Sequence, residues 1–404
     1  MADPIKTTCC IVGGGPAGVM LGYLLARSGV ETLVLEKHAD FLRDFRGDTV
    51  HPSTLQVLYE LDLLDAFLAR PHDKLAEVTV QFGERYFRVA DFGALDTRCK
   101  FIAFMPQWDF LNFLAEAGKA LPAFHLMQST PGVGLIEEGG RVAGVRAEGP
   151  GGPFEIRADL VVAADGRTSD MRKAAGLPVK DLGAPIDVLW FRIGRDPGDF
   201  DQTLGRIDPG RFMITIDRGD YWQCAFVIHK GEADRIKAGA LEDFKLQVVK
   251  AAPRLEPHMG DLKSWDEVKL LSVTVDRLEC WSKPGLLCIG DSAHAMSPVG
   301  GVGINMAIQD AVAAANILAE PLRAGRPVDG LLDKVRQRRL FPTKITQGFQ
   351  IFVHHQVLEP VLAASSMKAP WLVTMMDKAR LLRSLPARFI GLGVRPEHVR
   401  SPKA

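Results

Sequence analysis

Thr7-Thr8-Cys9-Cys10-Ile11-Val12-Gly13-Gly14-Gly15-Pro16-Ala17-Gly18 is the stretch from which the rest of the chain is read. Thr7 to Val12 reads as a short buried strand. The glycines lead into an apolar helix through about Arg27, which Gly29 closes. Glu31-Thr32-Leu33-Val34-Leu35-Glu36 reads as a second strand. A bare GxGxxG is weak evidence. Here Gly13, Gly15 and Gly18 sit between two strands, and the second strand ends in an acid, which together mark a dinucleotide-binding βαβ unit. Gly13 permits the tight turn, Gly15 lets backbone reach a pyrophosphate, and Gly18 lets helix and strand pack closely. Pro16 and Ala17 open the helix, whose free N–H groups and positive dipole end suit phosphate. Glu36 would accept hydrogen bonds from ribose hydroxyls and repel a 2′-phosphate, which disfavours NADP at this site. Lys37 follows it as a further cofactor-binding candidate.

Composition narrows the class. The 404 residues carry 49 Lys+Arg and 49 Asp+Glu, so a generally basic nucleic-acid binder is excluded. Hydrophobic residues at 47% are enough for two or three cored domains. Six scattered cysteines form no CxxC pair, so neither a disulfide framework nor a zinc site is expected. His354-His355 has no metal-ligand spacing around it, and no metal is expected. The N-terminus lacks the order of a signal peptide, and no charge-free apolar run reaches spanning length. The expected address is cytoplasmic.

Further along, Ser53 with Gln56 resembles a capping box ahead of an apolar stripe, Leu55, Leu58, Leu61 and Leu64. Residues 75–100 alternate like strands, and 107–121 look helical. Val133–Ile136, Val142–Val145 and Phe154–Ile156 read as a small antiparallel set. Leu160–Ala164 reads as a separate buried strand ending in Asp165-Gly166. Residues 186–195, 211–217 and 221–229 alternate like a second sheet. Leu286–Ile289 is another buried strand, ending in Gly290-Asp291. After Pro298 come Gly300, Gly301 and Gly303, then an Ala-rich helix from about Ile304 to Ala319, and a mostly helical tail. Thr168 or Ser169 could cap a short helix, and Arg172 could meet phosphates or pair with a carboxylate.

Three motifs occur in one order: Gly13-x-Gly15-x-x-Gly18, then Ala164-Asp165-Gly166-Arg167-Thr168-Ser169-Asp170-Met171-Arg172, then Gly290-Asp291-Ser292-Ala293-His294 followed by Pro298. In this the chain resembles the single-component flavoprotein aromatic hydroxylases with the p-hydroxybenzoate hydroxylase fold, over essentially its whole length. The resemblance implies an α/β fold: a Rossmann-like FAD-binding domain with a parallel sheet, interleaved with a mainly antiparallel substrate domain, and a helical C-terminus. The expected division is FAD-binding 1–72, 101–180 and 276–340, substrate domain 73–100 and 181–275, and helical region 341–404.

The resemblance also assigns roles. Asp291, at the end of an apolar strand, would bind the ribityl chain; a surface-turn role is the plain alternative. Asp165-Gly166 would contact FAD and bear on nicotinamide use. Arg46 matches a cofactor-contacting arginine near the active site, and Gln107 a glutamine at the ribityl-pyrophosphate. Pro298 would lie beside flavin and substrate, and Arg46 and Pro298 are the catalytic candidates. Gly290, Gly300, Gly301, Gly303, Ile304 and Asn305 would bring bare backbone, a helix N-terminus and one side-chain contact to the ring. His294 reads as structural. NADH or NADPH would reduce the flavin transiently, since only one Rossmann fingerprint is present. A flavin C4a-hydroperoxide would then hydroxylate a phenol- or quinolone-like ring.

Substrate contacts are expected from one face of the second sheet: Trp190, Arg192, Arg211, Met213, Tyr221 and Gln223. Trp222, Cys224, Phe226 and Ile228 would pack on the other. The tail's Trp371, Leu372, Phe389 and Ile390, set among Lys378, Arg380 and Arg388, read as helix packing in preference to membrane contact. Two alternatives stay open: an FAD oxidoreductase of this fold without oxygen insertion, and a non-enzymatic binding protein of this fold.

Overall fold

The computed structural model describes residues 4–42, 49–199, 204–365 and 369–404. Its first sheet has eight strands. Ile5–Val12 lies at the centre, parallel to Thr32–Leu35 on one side and to Gly152–Ala163 on the other. Phe124–Met127 and Leu286–Cys288 extend the parallel core. Cys9, Cys10, Ile11 and Val12 form a continuous buried apolar run, as strands of a parallel sheet covered on both faces do, and Val12 lies against Gly132 and Val145 of the antiparallel strands. Helix Pro16–Arg27 packs on helix Gly303–Arg323. The latter is the one candidate, among the described residues, long and apolar enough to cross a membrane. With 83% of its apolar window buried, it serves here as a core helix.

Residues 154–163 form one strand and not two. Gly152–Arg157 pairs antiparallel with Arg141–Gly149, and the same strand runs on beside Leu286–Cys288. Arg157, Ala158 and Asp159, which look like a break, continue the ladder with Lys6 and Thr7. The expected capping box at Ser53 is absent. Helix Pro52–Glu60 starts on Pro52 with His51 at its N-cap, and Gln56 instead donates to Glu60 one turn on.

The second sheet has seven strands, in the order Lys269–Ser272, Ile186–Gly194, Tyr221–His229, Arg211–Asp217, Leu204–Asp208, Glu77–Phe82 and Arg85–Asp91. Helix Leu241–Ala251 covers one face through Phe244 and Val248, against Phe191, Trp222, Cys224 and Phe226. The other face meets the glycine loop and the tail: Trp190, Phe212 and Ile214 pack with Val299, Val353 and Leu358. In the tail, Phe389 stacks on Phe349 at 4.7 Å between centroids, but Trp371, read as packing, is 72% exposed. Its short helix, Trp371–Lys378, lies on the edge strand Arg85–Asp91 without covering the ring.

Candidate cofactor cradle and active site

The three motifs meet at their glycines. Gly13 has φ +113°, and a Cβ there would sit 2.3 Å from the Ala164 carbonyl oxygen, in the second motif. A Cβ on Gly18 would lie 1.9 Å from the Gly13 carbonyl oxygen, so helix and turn touch backbone to backbone. Gly290, at φ +60°, sits where a Cβ would meet Ala17 and Ala307, which joins the third motif to both helix starts. Its N–H donates to Asp310 at 3.0 Å. Around this knot, Gly15, Gly166 and Gly303 have nothing within 4 Å of the Cβ position. Three stretches of bare backbone therefore face open space. Helices Pro16–Arg27 and Gly303–Arg323 both start without a side-chain cap, which leaves first-turn N–H groups for a ligand. Such a cradle fits an extended dinucleotide.

The polar residues divide into those that reach outward and those that hold the cradle. Glu36 is buried; its Oε2 accepts the Gly14 N–H and its Oε1 the His38 N–H, each at 3.0 Å. A carboxylate at this position is the type of group that accepts hydrogen bonds from ribose hydroxyls. Lys37 is exposed. Asp291 keeps a third of its side chain accessible, with only a 3.4 Å contact to Arg167. Asp165 is engaged within its own turn, where it accepts the Ser169 hydroxyl and the Met171 N–H. Burial raises its pKa. Gly166, at φ +87°, is the part of that motif turned to open space. Ser169 caps helix Asp170–Ala174, and Arg172 turns inward to the Ser292 carbonyl and Asp276.

Asn305 is corrected by the structure. Its amide oxygen accepts the His51 N–H at 2.9 Å and the Thr54 hydroxyl at 2.7 Å, and its NH₂ donates to the Thr49 and Gly301 carbonyls. All of its capacity is used inside the protein, so the side chain clamps the loop and makes no outward contact. Gly301 shows why the clamp is close: a Cβ there would meet the Thr49 hydroxyl at 2.6 Å. Ile304 is buried, Gly300 exposed and Pro298 half-buried. Gln107 is the first, half-buried residue of helix Gln107–Lys119. Arg46 lies outside the described residues.

Two buried histidines brace the cradle. His294 donates from Nε2 to Asp310 at 2.6 Å, and Arg339 donates to the same carboxylate at 2.9 Å. Burial would raise Asp310, but these two partners outweigh it and hold the carboxyl below its usual range. His51 was missed in the sequence. Its Nδ1 donates to the Ile390 carbonyl at 2.8 Å, and its Nε2 is buried without a partner beside Gly301. Burial pushes its pKa down to about 4, so the ring is neutral at pH 7. A His-Pro pair just ahead of a helix was the only available signal.

On the second sheet, register decides the pocket. Trp190 pairs with Ala225, Arg192 with Gln223 and Gly194 with Tyr221, so Trp190, Arg192, Tyr221 and Gln223 share one face. Met213 pairs with Phe226, which puts it on the opposite face with Trp222 and Cys224, where it is 1% exposed. Arg211 shares that face and donates to Gln247 of the covering helix. Both expected contacts are therefore corrected. Phe212, Ile214 and Ile216 stand in their place. The turn between Asp217 and Trp222 pairs odd residues of one strand with even residues of the next. A register offset by one residue exchanges every side chain between faces. Trp190 is half-buried, and its indole N–H has no partner among the protein's groups. Arg192 is exposed and approaches the Tyr221 ring at 5.9 Å, while Gln223 accepts from Arg218.

Comparison with known proteins agrees with this geometry. The family described as FAD binding domain matches residues 6–348. The chain is 34% identical to 6-methylpretetramide 4-monooxygenase of Streptomyces rimosus, over 92% of this chain and 90% of that protein. The fold superimposes on PqsL of P. aeruginosa, solved with 2-aminobenzoylacetate, at TM-score 0.75 and 20% identity, covering 88% of this chain and 97% of that one. It superimposes as well on p-nitrophenol 4-monooxygenase PnpA of Pseudomonas putida, at TM-score 0.75 and 20% identity, over 98% and 100%.

Proposed function

Because the chain belongs to the FAD-binding flavoprotein aromatic hydroxylases of the p-hydroxybenzoate hydroxylase type, we propose that it hydroxylates a fused-ring phenol with O₂ and NAD(P)H. The balanced reaction consumes the arene, O₂, NAD(P)H and a proton, and yields the hydroxyarene, NAD(P)⁺ and water. Bound FAD supplies hydride acceptance and oxygen activation. The protein holds it and keeps the reaction dry. Gly13, Gly15, Pro16, Ala17 and Gly18 cradle the pyrophosphate, Glu36 takes the ribose, and Gly290 and Asp291 take the ribityl chain. The N-terminus of Gly303–Arg323, with Gly300, Gly301, Gly303, Ile304 and the Asn305 backbone, sets a positive dipole end where reduced flavin carries negative charge. Arg46, Gln107 and Asp165-Gly166 complete the cofactor contacts, and Pro298 borders the reacting ring. The six free cysteines suit a reducing cytoplasm.

Phe212, Ile214 and Ile216 offer the substrate an apolar wall that excludes water. Trp190, Arg192, Tyr221 and Gln223 line the same face. The relative acting on 6-methylpretetramide supports a fused-ring substrate. The mutual contact of Gly13, Ala164, Gly290 and Ala17 carries the reading, because it builds one cradle from three distant motifs.

The test is a screen of fused-ring phenols under ¹⁸O₂ with NADH and NADPH, using protein purified yellow with FAD. One ¹⁸O atom in the product is expected. Unlabelled product from a turning-over enzyme would overturn the proposal. Asp291→Ala should purify colourless, and full flavin occupancy in that variant would contradict the ribityl assignment.

A further inference from the structure

Helix Asp329–Val353 buries Leu332 and Val335 as an ordinary surface helix would, but its later part is turned the opposite way. Its buried side carries Arg339, Thr343, Thr346, Gln347 and Gln350, continued by His354 in the π-turn that follows. Phe341, Ile345, Phe349 and Phe352 point outward, with Phe352 59% exposed. A polar row is buried only where it meets polar partners. Arg339 meets Asp310 and Glu397, and Thr343 bonds the Arg339 carbonyl of its own helix, while Gln347, Gln350 and His354 reach the loop between Asp291 and Gly300. Gln347 donates to the carbonyls of Asp276 and Ala295, at 2.7 and 3.0 Å. Gln350 donates to the carbonyls of Ser297 and Val299, at 2.9 and 3.0 Å, and accepts the Ser297 N–H at 3.1 Å. His354 Nε2 lies 2.8 Å from the Ser297 hydroxyl oxygen, which accepts the Val299 N–H at 3.3 Å.

The Ser297 oxygen has two lone pairs, so it can accept both the Val299 N–H and a proton from His354 Nε2, or donate its own proton to Nε2; in either tautomer the bond ties His354 to Ser297. Neither the serine nor the histidine touches solvent, and no carboxylate orients the histidine, so the pair is not built as a nucleophile. Both residues flanking Pro298 are held, and Pro298 itself, with no N–H, contributes no donor.

We propose that Gln350 and His354 are positioning residues that fix the Ser297–Val299 segment, and with it Pro298, against the cofactor ring. This assigns the inverted helix to the active site as its rear support, and it rests on the FAD-dependent reading above. Burial lowers the His354 pKa to about 4, so the ring is neutral at pH 7 and the bond to Ser297 is one between neutral groups.

Ser297→Ala, His354→Leu, His354→Gln and the double variant Ser297→Ala/His354→Leu test it, with Phe352→Ser on the exposed side of the helix as control. Three quantities are read in each: amide exchange of the 293–302 peptide, the FAD dissociation constant from flavin fluorescence, and the shape of the bound flavin's visible band. His354→Leu and Ser297→Ala should each speed loop exchange and weaken FAD by about tenfold, the scale of one buried hydrogen bond. The flavin band should change with them. His354→Gln, whose amide can either accept from or donate to the Ser297 hydroxyl, should restore wild-type values. The double variant should be no worse than either single, and Phe352→Ser should match wild type.

Wild-type exchange and FAD affinity in both single variants, failure of His354→Gln to rescue, or simple additivity would each overturn the proposal. Should His354→Leu not fold, Ser297→Ala and His354→Gln decide the matter alone. A wild-type protein that binds FAD but never incorporates oxygen would break the functional reading and leave this one standing. A wild-type protein that binds no FAD would break both.

Discussion

The parallel sheet and the antiparallel sheet present their functional faces by different means. At the C-terminal edge of the first, the presented surface is backbone. Gly15, Gly166 and Gly303 look into open space because Gly13 and Gly18 allow backbones to approach within distances no side chain permits, and Gly290 packs tightly on the Ala17 and Ala307 side chains. On the second, the presented surface is side chains: Trp190, Phe212, Ile214 and Ile216 on one face, Met213, Trp222 and Cys224 on the other. The first site is therefore sensitive to single atoms added at its glycines, and its side-chain chemistry is confined to a few acids such as Glu36 and Asp291. The second tolerates exchange of similar residues but depends on strand register.

The largest effect should come at the backbone site. Gly18→Val places its branch point 1.9 Å from the Gly13 carbonyl oxygen, which cannot move without opening the turn. The variant should yield no FAD-bound protein on purification, and a yellow, normally melting protein would show that the turn is softer than the contact implies. A smaller pair of effects tests the register. Met213→Ala, in the covered core, should lower unfolding stability by about 2–5 kcal/mol and leave the KM for the accepted phenol unchanged. Ile214→Ala, on the facing side, should raise that KM with a milder loss of stability. The reverse pattern, by urea titration and steady-state kinetics, would return Met213 to the pocket.

Acid sharpens the contrast last. Burial holds both His51 and His354 near pKa 4, against about 6.5 in the unfolded chain. The unfolded chain takes up these protons first as pH falls, so stability is complete above about pH 6.5 and declines towards pH 4. Each residue contributes at most roughly 3 kcal/mol to that decline. Denaturation midpoints at pH 7 and pH 4.5 measure it, and His354→Gln should flatten the slope. A wild-type midpoint that does not move would place these rings in contact with water.

Much of the cradle is legible because its parts are local. Gly13 to Gly18 bend and approach within a few residues of one another, and a strand ending in Gly290-Asp291 aims its acid off the sheet edge whatever lies around it. Ser169 could be read as a cap for the same reason. The clamp of Asn305 on Thr49, His51 and Thr54 is not legible, since the partners are some 250 residues apart. Nor is the inverted helix. Gln347 and Gln350 look like a solvated face, and only the carbonyls of Asp276 and of a loop some fifty residues earlier explain their burial.

By itself the order of residues determined the βαβ start, the three glycine and acid motifs and the alternation of the second sheet, because each depends on neighbours along the chain. Only the folded chain decided which face of that sheet meets the glycine loop and which the covering helix. It also decided which of the motif residues point outward and what the helical tail supports. Those properties depend on pairing across long separations, where one residue of offset, or one carbonyl left without a partner, changes the outcome.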